Sequence, residues 1–223
     1  MRTEEIADFL RTIEEECRFT SGYTGLVSFR PAVMRAMEQV ERREFVPMAY
    51  KPTAYTDSPL PIGHGQTISQ PFIVALMTDL LRPKKDNVIL EVGAGSGYQA
   101  AILSLLVARV YSIEIIPALA GVASARLRRL GYDNIEIRCG DGYQGWPEHA
   151  PFDGIMVTAA APHVPLPLVQ QLKPEGRIVI PVGLPGMPQQ LLVIEKNREG
   201  GFSSRDVLPV SFVPLTGDHN ESL

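Results

Sequence analysis

The chain has 223 residues, 45% of them hydrophobic, enough to bury a sizeable core in one domain, with or without a small appendage. A formal charge of −4 leaves no surplus of clustered lysine and arginine, which argues against a nucleic-acid partner. No apolar run approaches the ~20 residues of a membrane helix, and the acidic start Met1-Arg2-Thr3-Glu4-Glu5 is unlike a signal peptide, so a cytoplasmic location is expected.

Residues 4–16 and 31–42 carry apolar positions at helical spacing (Ile6, Phe9, Leu10, Ile13; Val33, Met34, Met37, Val40) and predict an α-helical N-terminal section. Periodicity then stops between Val46 and Pro71, where Pro47, Pro52, Pro59, Pro61, Gly63 and Gly65 accumulate. This stretch reads as a long loop, and long ordered loops usually have a task. A helix resumes over 71–81, followed by the apolar run Asn87–Val92, which reads as a buried strand.

The remainder alternates: helix 98–106, strand 110–113, helix 118–130, strand 135–138, strand 154–158, helix 166–172 and strand 177–181. Such alternation demands a mostly parallel sheet covered on both faces. Two further strands, 190–196 and 206–212, flank the polar turn Asn197–Gly201 with no helix between them, and predict an antiparallel hairpin at one sheet edge.

The turn Glu91-Val92-Gly93-Ala94-Gly95-Ser96-Gly97-Tyr98 falls where a parallel sheet forms its ligand crevice, at the C-terminal end of a strand. Its spacing is G-x-G-x-G. The dinucleotide fingerprint places its last glycine one position later, where this chain has Tyr98, so a pyrophosphate cradle is the weaker reading. Glu114 closes the next strand about 20 residues on, the distance at which a carboxylate accepts hydrogen bonds from both hydroxyls of an adenosine ribose. Asp141, between Gly140 and Gly142, is positioned to accept from an adenine amine or to make an ordinary Asp-Gly turn. Glu91 is expected to bond backbone or a donor's amino group from behind the turn. Cys17 and Cys139 lack CxxC or histidine-adjacent spacing, and His149 and His219 have no partner pattern, so neither a disulfide framework nor a metal site is indicated.

Over its whole length, and above all in Tyr55-Thr-Asp-Ser-Pro-Leu-Pro-Ile-Gly-His-Gly-Gln-Thr-Ile-Ser69-Gln-Pro71, the chain resembles the protein L-isoaspartate O-methyltransferase family. Leu90–Tyr98, Ala159-Ala-Ala-Pro162, Leu172–Arg177, Ile180–Gly183 and Phe212-Val-Pro-Leu-Thr216 agree as well. The resemblance implies a doubly wound, Rossmann-like α/β methyltransferase fold, S-adenosylmethionine as methyl donor, S-adenosylhomocysteine as product, isoaspartyl proteins and peptides as partners, and a monomer. It divides one domain into a helical section with the active-site loop (1–70), a donor-binding core (71–185) and a hairpin with a substrate-binding tail (186–223).

The resemblance assigns the active-site serine to Ser69. Expected donor contacts are His64, Thr67, Glu91, Gly93, Gly95, Gly97, Glu114, Asp141 and Gly142. Expected substrate contacts are Ile62, Gly63, Ala160, Pro162, Val213, Pro214 and Leu215, with backbone groups near Ala160 and Val213 holding the substrate main chain. Ser211 stands where many family members carry Arg, which puts any substrate contact of that Arg in doubt.

An isoaspartyl carboxylate, with a pKa near the ~3.3–3.9 of ordinary carboxyls, is already ionised at neutral pH, so no strong base is required. In the expected mechanism the loop 62–69 closes over the donor and the Ser69 hydroxyl orients the carboxylate; Ser69 also reads as the N-cap ahead of Pro71. Asp57 reads first as a loop-stabilising Asx turn, His163 as an exposed loop histidine, and Tyr143 and Trp146 as aromatics packed on the sheet. Alternatives are the same donor pocket serving another acceptor, an NAD(P)-linked oxidoreductase, and a non-catalytic binding module. Tyr98 and the absence of a recognisable Tyr-x-x-x-Lys pair count against the oxidoreductase.

Overall fold

The computed structural model describes residues 2–184 and 186–217; His219 and the end of the expected tail lie outside the described residues. The N-terminal section is helical, with α1 (Arg2–Phe19), the short α2 (Ser21–Thr24) and α3 (Pro31–Gln39). Ile13, Cys17, Val33 and Met37, at helical spacing, are buried in one cluster with Phe72 and Leu76.

The expected loop 46–71 is partly regular. It holds a 3-10 turn over Met48–Thr53 and a small antiparallel hairpin of β1 (Leu60–Gly63) and β2 (Gln66–Ile68). The strands are four and three residues long and carry Pro61, too short and too broken for an alternating pattern to register. Between them Gly63, His64 and Gly65 all take positive φ (94°, 54° and 71°), a left-handed turn for which two glycines are the low-cost residues.

The helix α4 (Pro71–Leu81) has the bounds its sequence predicts. Then come β3 (Val88–Val92), α5 (Tyr98–Ser104), β4 (Arg109–Glu114), α6 (Pro117–Arg129), β5 (Ile135–Cys139), β6 (Phe152–Val157), α7 (Leu166–Gln170), β7 (Leu172–Val182), β8 (Gln189–Lys196) and β9 (Phe202–Val210). Strands β3 to β9 form one seven-stranded sheet in the order β5-β4-β3-β6-β7-β8-β9, parallel from β5 to β7 and antiparallel from β7 to β9. The fold is the doubly wound α/β arrangement that the alternation predicts, closed at one edge by the expected hairpin.

Alternate side chains divide the core. Ile89, Val110, Met156 and Val179 pack with α4, α5 and the N-terminal helices. Leu90, Ile155, Val157, Ile178 and Ile180 pack on the other face with Trp146 and Leu168.

Two strands differ from expectation. β7 starts at Leu172, because Leu172 pairs with Phe152 before a bulge that is resolved at Gly154 and Arg177. β9 spans Phe202–Val210 where the pattern predicts 206–212; its first five residues are exposed on the sheet edge and carry no apolar alternation. Beyond it the chain leaves the sheet, held by the buried Gln189, whose Oε1 accepts from Phe212 N (2.7 Å) and whose Nε2 donates to Phe212 O (3.0 Å). Among the described residues no helix is long and apolar enough to cross a membrane.

Candidate active site

Parallel strands end on one side of the sheet, and there the described residues line an open cavity of about 60 Å³. Its floor is Val92 and Gly93 after β3, Ile113 and Glu114 at the end of β4, and Gly142 after β5. Gly93 sits at φ 96°, and a Cβ there would lie 2.4 Å from Thr158 Oγ1, so only glycine lets the strand end approach this close. Thr158 Oγ1 donates to Gly93 O (2.6 Å), which fixes the turn against β6.

Glu114 holds the same turn from the other side: Oε2 accepts from Gly95 N (2.8 Å) and Oε1 from Ile116 N (2.9 Å). Each carboxylate oxygen keeps a further lone pair, and the side chain lines the cavity, so two adjacent hydroxyls can donate to it without displacing either backbone bond.

A larger cavity, about 590 Å³, lies next to the first and is lined by Ser69, Phe72, Ile73, Phe212 and others. The two share Thr67, Thr158 and Val213 as a common wall. A third, about 40 Å³, runs under the glycine turn from Ser69 and Thr67 to Gly93, Ser96, Tyr98 and Gln99. Ser69 thus stands where the large cavity meets the space beneath the glycine turn, and its hydroxyl has no hydrogen-bond partner among the described residues.

The N-cap role available to Ser69 is filled by other residues. Gln70 occupies the cap position, and Asp57 reaches across so that Oδ1 accepts from Phe72 N and Oδ2 from Gln70 Nε2, both at 2.8 Å. Asp57 therefore ties the loop to the start of α4 beside Ser69. Behind it the fully buried Arg42 donates to Ala54 O (2.9 Å) and Ser58 O (3.3 Å), and its guanidinium lies 5.1 Å from the Tyr98 ring centroid. Burial lowers the Arg42 pKa and pushes the Tyr98 hydroxyl up to about 12.

The C-terminal segment roofs both cavities. Ala160 N donates to Val213 O (2.8 Å) and Leu215 N donates to Ala160 O (2.7 Å). Ala160 is 3% exposed, so its backbone groups are spent on this bridge and are not open to a substrate main chain, contrary to expectation. Pro214 and Leu215, expected to contact substrate, line the first cavity with Glu114 and not the large one; Val213 lines both. Pro162 lines neither.

Of the expected donor contacts, Thr67, Gly93, Gly95, Glu114 and Gly142 line the first cavity. Four do not. Glu91 is wholly buried on the α4–α5 side of the sheet and accepts a short hydrogen bond from Ser112 Oγ. Burial, opposed by that bond and aided by Glu114, raises its pKa to about 8, so it is mainly protonated at neutral pH. Gly97 is the left-handed cap of α5 and packs against Leu127 and Ala123 of α6. His64 is exposed at the hairpin tip. Asp141 accepts from Tyr143 N (2.9 Å) as the cap of a 3-10 turn, the turn role its sequence context also allowed. Ile62 lies 3.4 Å from the Cβ position of Gly95 and so packs the hairpin onto the glycine turn, while Gly63 is exposed in that hairpin.

His163 is exposed, as its loop position predicts, and pairs through Nε2 with Tyr143 Oη (2.9 Å). Trp146 is buried on the sheet face with Tyr111. Sequence reasoning missed Thr158 and Gln189. Thr158 is the first polar residue after the apolar run of β6, a position at the crevice edge that carries a signal; Gln189 has none, because its partner is backbone 23 residues away.

Adjoining crevices at the strand ends of a doubly wound sheet, one floored by a glycine turn and a carboxylate, are the ligand site of a Rossmann-like nucleoside-binding fold, the fold of S-adenosylmethionine-dependent methyltransferases. The family model for protein-L-isoaspartate(D-aspartate) O-methyltransferase (PCMT) matches residues 24–220, and the chain belongs to that family. It is 60% identical to protein-L-isoaspartate O-methyltransferase 2 of Syntrophobacter fumaroxidans, covering 96% of this chain and 86% of the relative. It is 58% identical to the protein of the same name from Nitrosococcus oceani, covering 95% and 96%. A solved protein-L-isoaspartate O-methyltransferase superposes with a TM-score of 0.81 at 27% identity, over 96% of this chain and 66% of that one. A structure described as a beta-aspartate methyltransferase (PCMT) from Plasmodium falciparum, in complex with S-adenosyl-L-homocysteine, superposes with a TM-score of 0.73 at 26% identity, over 92% and 97%.

Proposed function

We propose that this chain transfers the methyl group of S-adenosylmethionine to the free carboxylate of L-isoaspartyl residues, and more weakly of D-aspartyl residues, in damaged proteins and peptides. The observation that carries the proposal is the shared wall of Thr67, Thr158 and Val213, with the unpartnered Ser69 hydroxyl beside it. It puts the space over the glycine turn and Glu114 in contact with the large cavity at one place.

The first cavity fits the nucleoside: Glu114 offers acceptors to the ribose hydroxyls, Gly93 and Gly95 allow close approach, and Gly142 with Leu215 borders the base. The donor supplies a methyl group on a cationic sulfur, which a carboxylate displaces in line. Ser69 donates to one oxygen of the isoaspartyl carboxylate and turns the other toward the methyl group. The roof formed by residues 213–216 excludes water, which strengthens the attraction between carboxylate and sulfonium and removes the hydration that competes with it. Proton abstraction has no place in this scheme, since the acceptor is ionised.

The same reading makes the protein a cytoplasmic monomer that acts on protein and peptide chains. Two unpaired cysteines, Cys17 and Cys139, support a reducing compartment. The test is methyl-labelled donor with two peptides that differ only in L-isoaspartate or L-aspartate. Base-labile label confined to the isoaspartyl peptide supports the proposal, and label on neither or on both overturns it.

A further inference from the structure

The large cavity has an unusual charge pattern for a site whose substrate carries a carboxylate. Its walls come from α1, from Pro59 and the start of α4, and from the end of β9 with the segment that follows. Among the described residues no lysine, arginine or histidine lines it, and the one charged side chain that does is Glu16. The wall from the end of β9 and the segment after it, residues 208–212, brings no charge, and Ser211 there is small and exposed.

Glu16 is half-buried, and its carboxylate has neither a hydrogen bond nor an ion pair among the described residues. Its neighbours are committed. Arg18 faces Glu14 at 3.8 Å, and the Thr20 hydroxyl donates to Glu16 O at 2.8 Å. An unpaired carboxylate on the wall of a groove repels an acidic peptide along the whole approach and attracts a cation that reaches it.

We infer that Glu16 makes this groove selective for substrates with a basic side chain a few residues from the isoaspartyl residue. The inference rests on reading the cavity as the peptide groove. Glu16 acts on a part of the peptide that does not react, so it binds ground state and transition state alike and its effect falls on KM rather than kcat. A partly exposed ion pair of about 0.2–1 kcal/mol corresponds to a preference of up to about fivefold, weakened by salt.

The experiment is a set of isoaspartyl peptides in which one position, walked from two to five residues on either side of the isoaspartate, is Lys, Gln or Glu. For the intact chain, Glu16→Gln and Glu16→Lys, the readout is the ratio of kcat/KM for the Lys and Glu peptides at each position. This ratio is internal to each variant and does not depend on how much of it is folded. The expected result is a Lys preference of about two- to fivefold at one or two positions, carried by KM, reduced at high salt, lost in Glu16→Gln and reversed in Glu16→Lys. Indifference of the unmodified chain to charge, or a preference that survives Glu16→Gln, overturns the role of Glu16 while leaving the peptide groove intact. Ester on none of the peptides overturns the groove reading itself, and the role of Glu16 with it.

Discussion

Replacing Glu91 by Gln converts a buried acid into an isosteric neutral group that still accepts from Ser112. Glu91 is fully buried, one carboxylate oxygen has no hydrogen bond, and burial raises its pKa from 4.5 to about 8. Below about pH 4.5 the group is protonated in both states and costs nothing. Between there and about pH 8 the unfolded chain has lost this proton and the folded chain keeps it, so stability falls as pH rises, by about 1.4 kcal/mol per pH unit. From pH 5 to 8 the loss amounts to roughly 4 kcal/mol, all of which Glu91→Gln removes. Urea unfolding of both proteins at pH 5, 6.5 and 8 measures it. The stability difference moves in favour of the variant with each step, while affinity for S-adenosylhomocysteine changes little, because Glu91 does not line the donor cavity. Parallel pH profiles would refute the buried, protonated state, and a collapse of donor affinity would restore Glu91 to the donor site.

Ser69→Ala lowers kcat by about 10- to 100-fold, the worth of one hydrogen bond to a charged group, and leaves S-adenosylhomocysteine affinity within a factor of about two; isothermal titration with steady-state kinetics separates these. Asp57→Ala removes the cap of α4 and costs about 1–2 kcal/mol, a fall in Tm of roughly 3–6 °C by calorimetry, with a loss of kcat because Gln70 and Ser69 are no longer held. Gln189→Ala frees Phe212 from both of its backbone bonds and loosens the roof, so donor affinity and peptide kcat/KM both fall, by roughly 3- to 10-fold; a loss in only one of the two would show that the segment does not roof both cavities.

Much of the sheet is legible in the sequence because each buried parallel strand is a short apolar run and each crossover helix has its own period. The floor of the first cavity is legible for the same reason: Gly93, Gly95 and Glu114 sit at strand ends, and a strand end predicts its own place at the crevice. Legibility fails where the interaction is not local. Ala160 looks available until the chain returns 53 residues later to occupy both of its backbone groups. Glu91 looks like a crevice residue, but side chains alternate along a strand, and position 91 faces α5 with Ile89 while positions 90 and 92 face the other side. Asp57 reads as a local turn, yet its hydrogen bonds run to Gln70 and Phe72, more than ten residues on. The hairpin β1–β2 is too short for any period to reveal it.

The nucleoside and peptide cavities meet at the wall of Thr67, Thr158 and Val213, beside Ser69. A crystal structure of the complex with S-adenosylhomocysteine and an isoaspartyl peptide tests it most directly. The expected complex has ribose hydroxyls on Glu114, the isoaspartyl carboxylate within about 3 Å of Ser69 Oγ on the side facing the donor sulfur, and the peptide running along the end of β9. A nucleoside bound away from Glu114, or an isoaspartyl carboxylate placed away from Ser69, would contradict it.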